Sequence, residues 1–158
     1  MKVNLLIGGY PLNGYLNIDA LSQQDQTSNK LNHNLENLDD IIDNNECTEF
    51  LANGVIDTFP ISVRSKVVSH WLSKIEHNGI FVLSGLDLNK AARFIMSSEV
   101  DINSINTVLY GPCNNMWTIN KGAWSVNEAV NSILSAGQFK ILSKSFRGLH
   151  YVVKAQRI

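Results

Sequence analysis

Apolar and polar positions along the chain switch between a period of two and a period near 3.6. Residues 3–7 are a compact, mostly apolar run ending at Gly8-Gly9, which predicts a buried strand followed by a sharp bend. Residues 15–19 predict a second short strand that ends in Asp19. Residues 22–45 are rich in Gln, Asn, Asp and Ser, with few apolar positions beyond Leu31, Leu35, Leu38, Ile41 and Ile42. They predict a long loop with at most one short helix or strand, and such loops are usually functional or mobile. Residues 47–52 predict a strand that ends at Asn53-Gly54. Val63, Val67, Val68, Trp71, Leu72 and Ile75 share one helical face over residues 62–75, and Asn78-Gly79 reads as the stop of that helix.

Residues 80–84 form a continuous apolar run, the pattern of a strand covered on both faces. Asp87 reads as the cap of a helix from Lys90 to about Ser98, while residues 102–111 fit neither period decisively. Ser125 with Glu128 three residues on is a capping box. It opens a helix over residues 126–136 whose inner face carries Val126, Ala129, Val130, Ile133 and Leu134, with Gly137 as its stop. Residues 139–142 and 149–155 predict a terminal antiparallel hairpin turned at Arg147-Gly148. No internal repeat is present.

Alternating strands and helices around an apolar central strand predict an α/β layered domain, expected as one unit over residues 1–158. Its sheet is expected to be mainly parallel, with the hairpin as an antiparallel edge. Composition agrees: 44% hydrophobic and 17% charged residues describe a globular chain. A net charge of −1 with scattered Lys and Arg predicts no nucleic-acid partner. Cys47 and Cys113 form no CxxC pair, and His33, His70, His77 and His150 do not flank them, so neither a metal site nor a disulfide framework is expected. The apolar start is too short for a signal segment or a bilayer span, which predicts a cytoplasmic protein with no membrane partner.

In wound α/β sheets ligands bind outside the carboxyl ends of the strands. Four features are expected there. Gly8 and Gly9 would let a ligand approach the backbone, and Asp19 would accept both hydroxyls of a ribose. Asp39 or Asp40 would take an adenine amino group beside Ile41 and Ile42, and Asn53 ends the next strand. Taken singly each has a plainer reading: Gly8-Gly9 as a turn, Asp19 as a cap, Asp39 and Asp40 as loop acids.

The segment Leu5-Leu6-Ile7-Gly8-Gly9, then Gly14-Tyr15-Leu16-Asn17-Ile18-Asp19, resembles the opening of class I S-adenosylmethionine-dependent methyltransferases. Within that family it resembles the short bacterial type often associated with surface-polysaccharide gene clusters. Residues 37–60 resemble that family's acidic loop, fourth strand and "S-H-V-L-E-H-F" turn. Residues 71–83 resemble its "W-x-R-V-L-K-P-G-G-x-L-x-L" segment. Leu109-Tyr110-Gly111 with Asn120-Lys121-Gly122-Ala123-Trp124-Ser125 resembles its "Y-G … H-K-x-x-[FW]-[ST]" segment, and residues 151–157 its last strand. The resemblance implies a Rossmann-like sheet and S-adenosyl-L-methionine as cofactor. It implies that Gly8 and Asp19 meet the cofactor's methionyl and ribose parts and that Asp39 meets its adenine.

Two departures matter. The glycine-rich loop lacks G-x-G-x-G, and the two histidines of the "S-H-V-L-E-H" turn are replaced, with Asp57 as a residual acid. The short link between Gly8 and Tyr15 leaves no room for the usual first helix, so that helix is expected to be reduced or missing. Tyr110, Trp117, Asn120, Lys121 and Trp124 are acceptor-side candidates. Asp57, Tyr110 and Lys121 are the candidates for acid–base chemistry, and core packing is the plainer role for the tryptophans. The expected activity is methyl transfer to a small-molecule or glycan acceptor. The rival is a non-catalytic methyltransferase-like domain that binds an adenosine ligand or a protein partner. A nicotinamide dinucleotide fold is disfavoured because G-x-G-x-x-G and its helix are absent. Oligomeric state is left open, a dimer included.

Overall fold

The computed structural model describes residues 1–21, 29–97 and 100–158. Seven strands form one mixed sheet: β1 (Lys2–Leu6), β2 (Leu16–Asp19), β3 (Leu31–Asn32), β4 (Cys47–Asn53), β5 (Ile75–Leu86), β6 (Phe139–Arg147) and β7 (His150–Arg157). Their order across the sheet is β3-β2-β1-β4-β5-β7-β6. Strands β3, β2, β1, β4 and β5 are parallel, and β7 enters antiparallel between β5 and β6. Among the described residues four α-helices accompany the sheet: α1 (Ile61–Ser73), α2 (Leu88–Met96), α3 (Ile102–Tyr110) and α4 (Val126–Ser135).

The first crossover has no helix, as the short link predicts. Residues 7–15 join β1 to β2, and side chains hold them instead of helical packing. Asn4 and Asn17 are register partners on neighbouring strands, and both are buried. Asn17 accepts from the Asn4 Nδ2 group (2.9 Å) and from the Leu12 amide (2.8 Å). It also donates to the carbonyls of Leu12 and Tyr15. A face that normally packs apolar side chains under a helix is here polar, and it fastens the loop directly.

Helix α1 buries Val67, Val68, Trp71 and Leu72 against the sheet. Trp71 stacks near Phe50 (6.2 Å) and meets Phe59 edge-on (5.9 Å) in the middle of the core. The helix ends at Ser73, earlier than Asn78-Gly79 suggested, and those residues belong to β5. There Thr48 on β4 stands against residues 76–79 on β5, a bulge in the ladder. Asn78 has a φ of 64°, and a Cβ on Gly79 would lie 2.8 Å from the carbonyls of Cys47 and Glu76. Gly79 therefore serves a close backbone approach and does not cap a helix.

The ambiguous stretch is helix α3. Asp101 caps it by accepting from the Asn103 and Ser104 amides, and Gly111 (φ 73°) ends it. None of its residues is buried, so its apolar positions leave no clear stripe in the sequence. The capping box of α4 and the terminal hairpin form as predicted. Of the polar stretch 22–45, residues 22–28 lie outside the described residues, as does Ser98, the expected end of α2. No helix of the described residues is long and apolar enough to cross a membrane.

Candidate functional site

The parallel strands deliver Gly8, Gly9, Asp19 and Asn53 to one rim, at the carboxyl ends of β1, β2 and β4. Gly8 adopts a φ of 70°, which turns its amide onto Asp19 Oδ1 at 2.9 Å. The Leu21 amide donates to the same oxygen (2.9 Å), and Lys30 Nζ donates to Oδ2 at 3.0 Å. Asp19 is fully buried. Burial pushes its carboxyl up, but the two amides and the Lys30 ammonium outweigh that and hold it below the usual carboxylate range. At the end of β4 the Gly54 amide is held by Ser84, whose hydroxyl also donates to Asn53 Oδ1.

Asp39 and Asp40 are not brought to this rim, which corrects the expected adenine contact. After β3 the chain runs back along α1. The Trp71 indole donates to the Leu35 carbonyl (2.8 Å), and the Leu38 amide donates to His70 Nε2 (2.9 Å). Asp39 then pairs with the buried Lys74, whose carbonyl accepts from the Glu46 and Cys47 amides at the amino end of β4. Both acids are exposed at the opposite end of the sheet from Asp19. The lysine hydrogen bond holds the Asp39 carboxyl below its ordinary range.

Asp57 lies in a 3-10 turn (Ile56–Thr58) after β4, and it faces inward. It is 3% exposed; Oδ2 accepts from the Leu86 amide (2.7 Å), and Oδ1 lies 3.6 Å from Arg64 Nη1. Burial raises its carboxyl to about 6, against the Leu86 amide and the Arg64 charge. A side chain so enclosed does not reach an acceptor. Its backbone carbonyl accepts from the Lys121 amide at 2.7 Å.

Tyr110, Asn120 and Lys121 do come together. With Leu86, Leu88 and Leu109 they line a cavity of about 350 Å³ beyond the carboxyl end of β5. Trp117 is half-buried with its ring edge-on to Phe59 at 6.2 Å. Trp124 is 5% exposed and lies under the Arg64 guanidinium (5.7 Å), so packing describes it better than acceptor contact. Among the described residues no group of three His, Cys, Asp or Glu side chains is placed to hold a metal.

Lys30 and Arg64 are not marked out by the sequence pattern. Arg64 shares the apolar stripe of α1 with Val67, Val68 and Trp71, and a charge on such a stripe was the available signal. Lys30 gave none, because its partner is eleven residues away across a polar stretch.

Comparison with protein-family models and with curated sequences gives no match. Solved structures do match. A SAM-dependent methyltransferase from Archaeoglobus fulgidus has a TM-score of 0.61 at 9% identity, over 90% of this chain and 76% of that chain. The 1,6-didemethyltoxoflavin-N1-methyltransferase of Burkholderia thailandensis has a TM-score of 0.56 at 12% identity, over 90% of this chain and 60% of that one. An O-methyltransferase family protein from the same organism has 0.56 at 13%, over 81% of this chain and 35% of that one. The chain thus spans about a third of the last relative and three fifths of the second. At these identities the likeness is one of fold: the chain has the Rossmann-like, seven-stranded fold of class I methyltransferases.

Proposed function

We propose that this chain binds S-adenosyl-L-methionine along the rim of Gly8, Gly9, Asp19 and Asn53. In this reading it directs methyl transfer to a small-molecule or glycan acceptor seated at Tyr110, Asn120 and Lys121. The observation that carries the reading is the Gly8 amide on the Asp19 carboxylate, at the β1–β2 rim of a sheet ordered β3-β2-β1-β4-β5-β7-β6. The Burkholderia N1-methyltransferase was solved with its substrate and S-adenosylhomocysteine bound, which supports the choice of ligand. A cytoplasmic location, a single domain over residues 1–158 and the surface-polysaccharide setting belong to the same reading.

The residues present fit the ribose part of that ligand on one condition. Asp19 Oδ2 accepts from Lys30 Nζ, and the Lys30 side chain is 17% exposed. A ribose diol would take the place of that ammonium while the Gly8 and Leu21 amides keep Oδ1 aimed at the rim. When bound, the cofactor supplies an electrophilic methyl on a sulfonium. The chain's part is then positioning and exclusion of water. Leu86, Leu88 and Leu109 wall the acceptor space, and Asn120 and Lys121 offer it polar contacts.

Titration calorimetry with S-adenosylmethionine, S-adenosylhomocysteine and NAD tests the reading. The first two are expected to bind and NAD is not, and Asp19→Ala is expected to abolish binding. Absence of heat with both sulfur ligands sinks the proposal and leaves the non-catalytic partner module.

A further inference from the structure

Behind the acceptor cavity three buried polar atoms face one another. Asp57 Oδ1, Arg64 Nη1 and Tyr151 Oη have no hydrogen-bond partner among the described residues, and their side chains are all at least nine-tenths buried. They come from the turn after β4, from α1 and from β7. The Asp57–Arg64 separation of 3.6 Å is too long for a direct hydrogen bond. A Cβ on Gly85 would lie 2.8 Å from Tyr151 Oη and 2.9 Å from Asp57 Oδ1. Both oxygens therefore flank the same point of β5, and a residue without a side chain keeps it clear.

The other atoms of this group tie down the chain segment that walls the cavity. Arg64 Nε donates to the Phe59 carbonyl, and Nη2 donates to the carbonyls of Asp57 (3.0 Å) and Gly122 (2.8 Å). The Lys121 amide donates to the Asp57 carbonyl, and the Leu88 amide to the Trp124 carbonyl. Gly122 has a φ of 152°, and a Cβ there would strike Ile61 at 2.7 Å, so the segment lies flat against α1.

We propose that Asp57, Arg64 and Tyr151 enclose one internal water, and that the cluster so completed positions residues 120–124 as the wall of the acceptor cavity. The water accepts from Arg64 Nη1 and Tyr151 Oη and donates to Asp57 Oδ1, the usual number of bonds for a buried water. Arg64 and Asp57 are positioning residues; neither touches the space where an acceptor would sit. The proposal rests on the functional reading above only in calling that space an acceptor site.

Tyr151→Phe separates a watered cluster from a dry one by the sign of its effect. With the water present, losing the hydroxyl removes one of its partners. The melting temperature is then expected to fall by about 2–4 °C, and the Lys121 amide to exchange about tenfold faster. In a dry cluster the same change removes an unsatisfied hydroxyl, and the protein melts at or above the parent temperature. A crystal structure of the parent is expected to show a density peak within hydrogen-bond distance of all three atoms. Arg64→Lys keeps the charge but cannot reach both carbonyls, so faster Lys121 exchange and a shifted Trp124 emission are expected. No peak, a Tyr151→Phe melt at or above the parent, or unchanged Lys121 exchange in both variants overturns the proposal. These readouts need no bound cofactor, so a failure of S-adenosylhomocysteine to bind overturns the functional reading alone.

Discussion

Lys30 stands on Asp19 Oδ2, the oxygen that the proposed ribose contact would need. A charge-assisted hydrogen bond in a partly buried setting is worth about 1.5–3 kcal/mol, and a ligand must forgo that contact in order to bind. Lys30→Met is therefore expected to tighten S-adenosylhomocysteine binding about tenfold in calorimetry, the equivalent of about 1.4 kcal/mol. Equal or weaker affinity in the variant means that Lys30 contacts the ligand and does not compete with it. His70 makes a second prediction at this scale. Its Nε2 accepts the Leu38 amide and must be unprotonated to do so. Burial lowers its pKa from 6.5, with Lys74 adding to the effect and Asp39 opposing it. A lowered base is charged less readily in the folded chain than in the unfolded one. Its contribution is then complete above 6.5 and fades as pH falls through the folded value. His70→Gln keeps an acceptor that does not titrate. The urea midpoint of the parent is expected to drop relative to that variant between pH 7 and 5. The Asp57 carboxyl, raised to about 6, titrates in this window with the opposite sign, but it is common to both proteins and cancels in the difference. At residue scale the sequence made Asp19 legible because an acid directly ending an apolar strand has a fixed place. It misplaced Asp39 because the chain doubles back after a strand of two residues, and nothing local records that reversal.

Among the elements, α2 and α4 share one cap. Asp87 Oδ1 accepts the Lys90 amide at the start of α2, and Oδ2 accepts the Val126 amide at the start of α4 (both 2.9 Å). Ser125 adds the capping box of α4, accepting from the Glu128 amide while Glu128 Oε2 accepts from the Ser125 amide. Losing one cap costs about 1 kcal/mol, and a carboxylate serving two helices about twice that. Ser125→Ala is expected to lower the melting temperature by about 2–4 °C, and Asp87→Ala by about 4–8 °C. Melts followed by circular dichroism that rank the two variants equally would remove the shared-cap account. The contrast with sequence reading is physical. The capping box spans four residues and is legible locally. The bivalent role of Asp87 needs the 39-residue contact to Val126, which no window contains. Gly79 was misread for the same reason, since its partner is the Cys47 carbonyl across a bulged ladder.

For the whole molecule, the missing first helix matters most. The sheet order and the antiparallel entry of β7 match the fold of class I methyltransferases; alternating patterns made the parallel part and the terminal hairpin legible, but not the order of the strands. What a pattern does not convey is the replacement of a helix by the Asn4–Asn17 clamp on residues 7–15. A helix beginning after β1 would aim its amino end at the rim, where unpaired amides and the macrodipole favour a ligand carboxylate. Here no such end exists, and the Gly8 amide is spent on Asp19. If the rim holds the proposed cofactor, it is then expected to discriminate little on the amino-acid portion attached to the adenosine. S-adenosylhomocysteine and 5′-methylthioadenosine share the nucleoside and the thioether, and only the former carries the amino-acid group. A helix terminus is worth about 0.3–1 kcal/mol to an anion at an exposed site and up to ~2 kcal/mol in a partly buried one. Without it the two ligands are expected to bind within about threefold of each other in competitive titration. A preference of about thirtyfold or more for the amino-acid-bearing ligand would show that some other group meets the carboxylate. In that case the shortened crossover has been compensated and has not reduced the site.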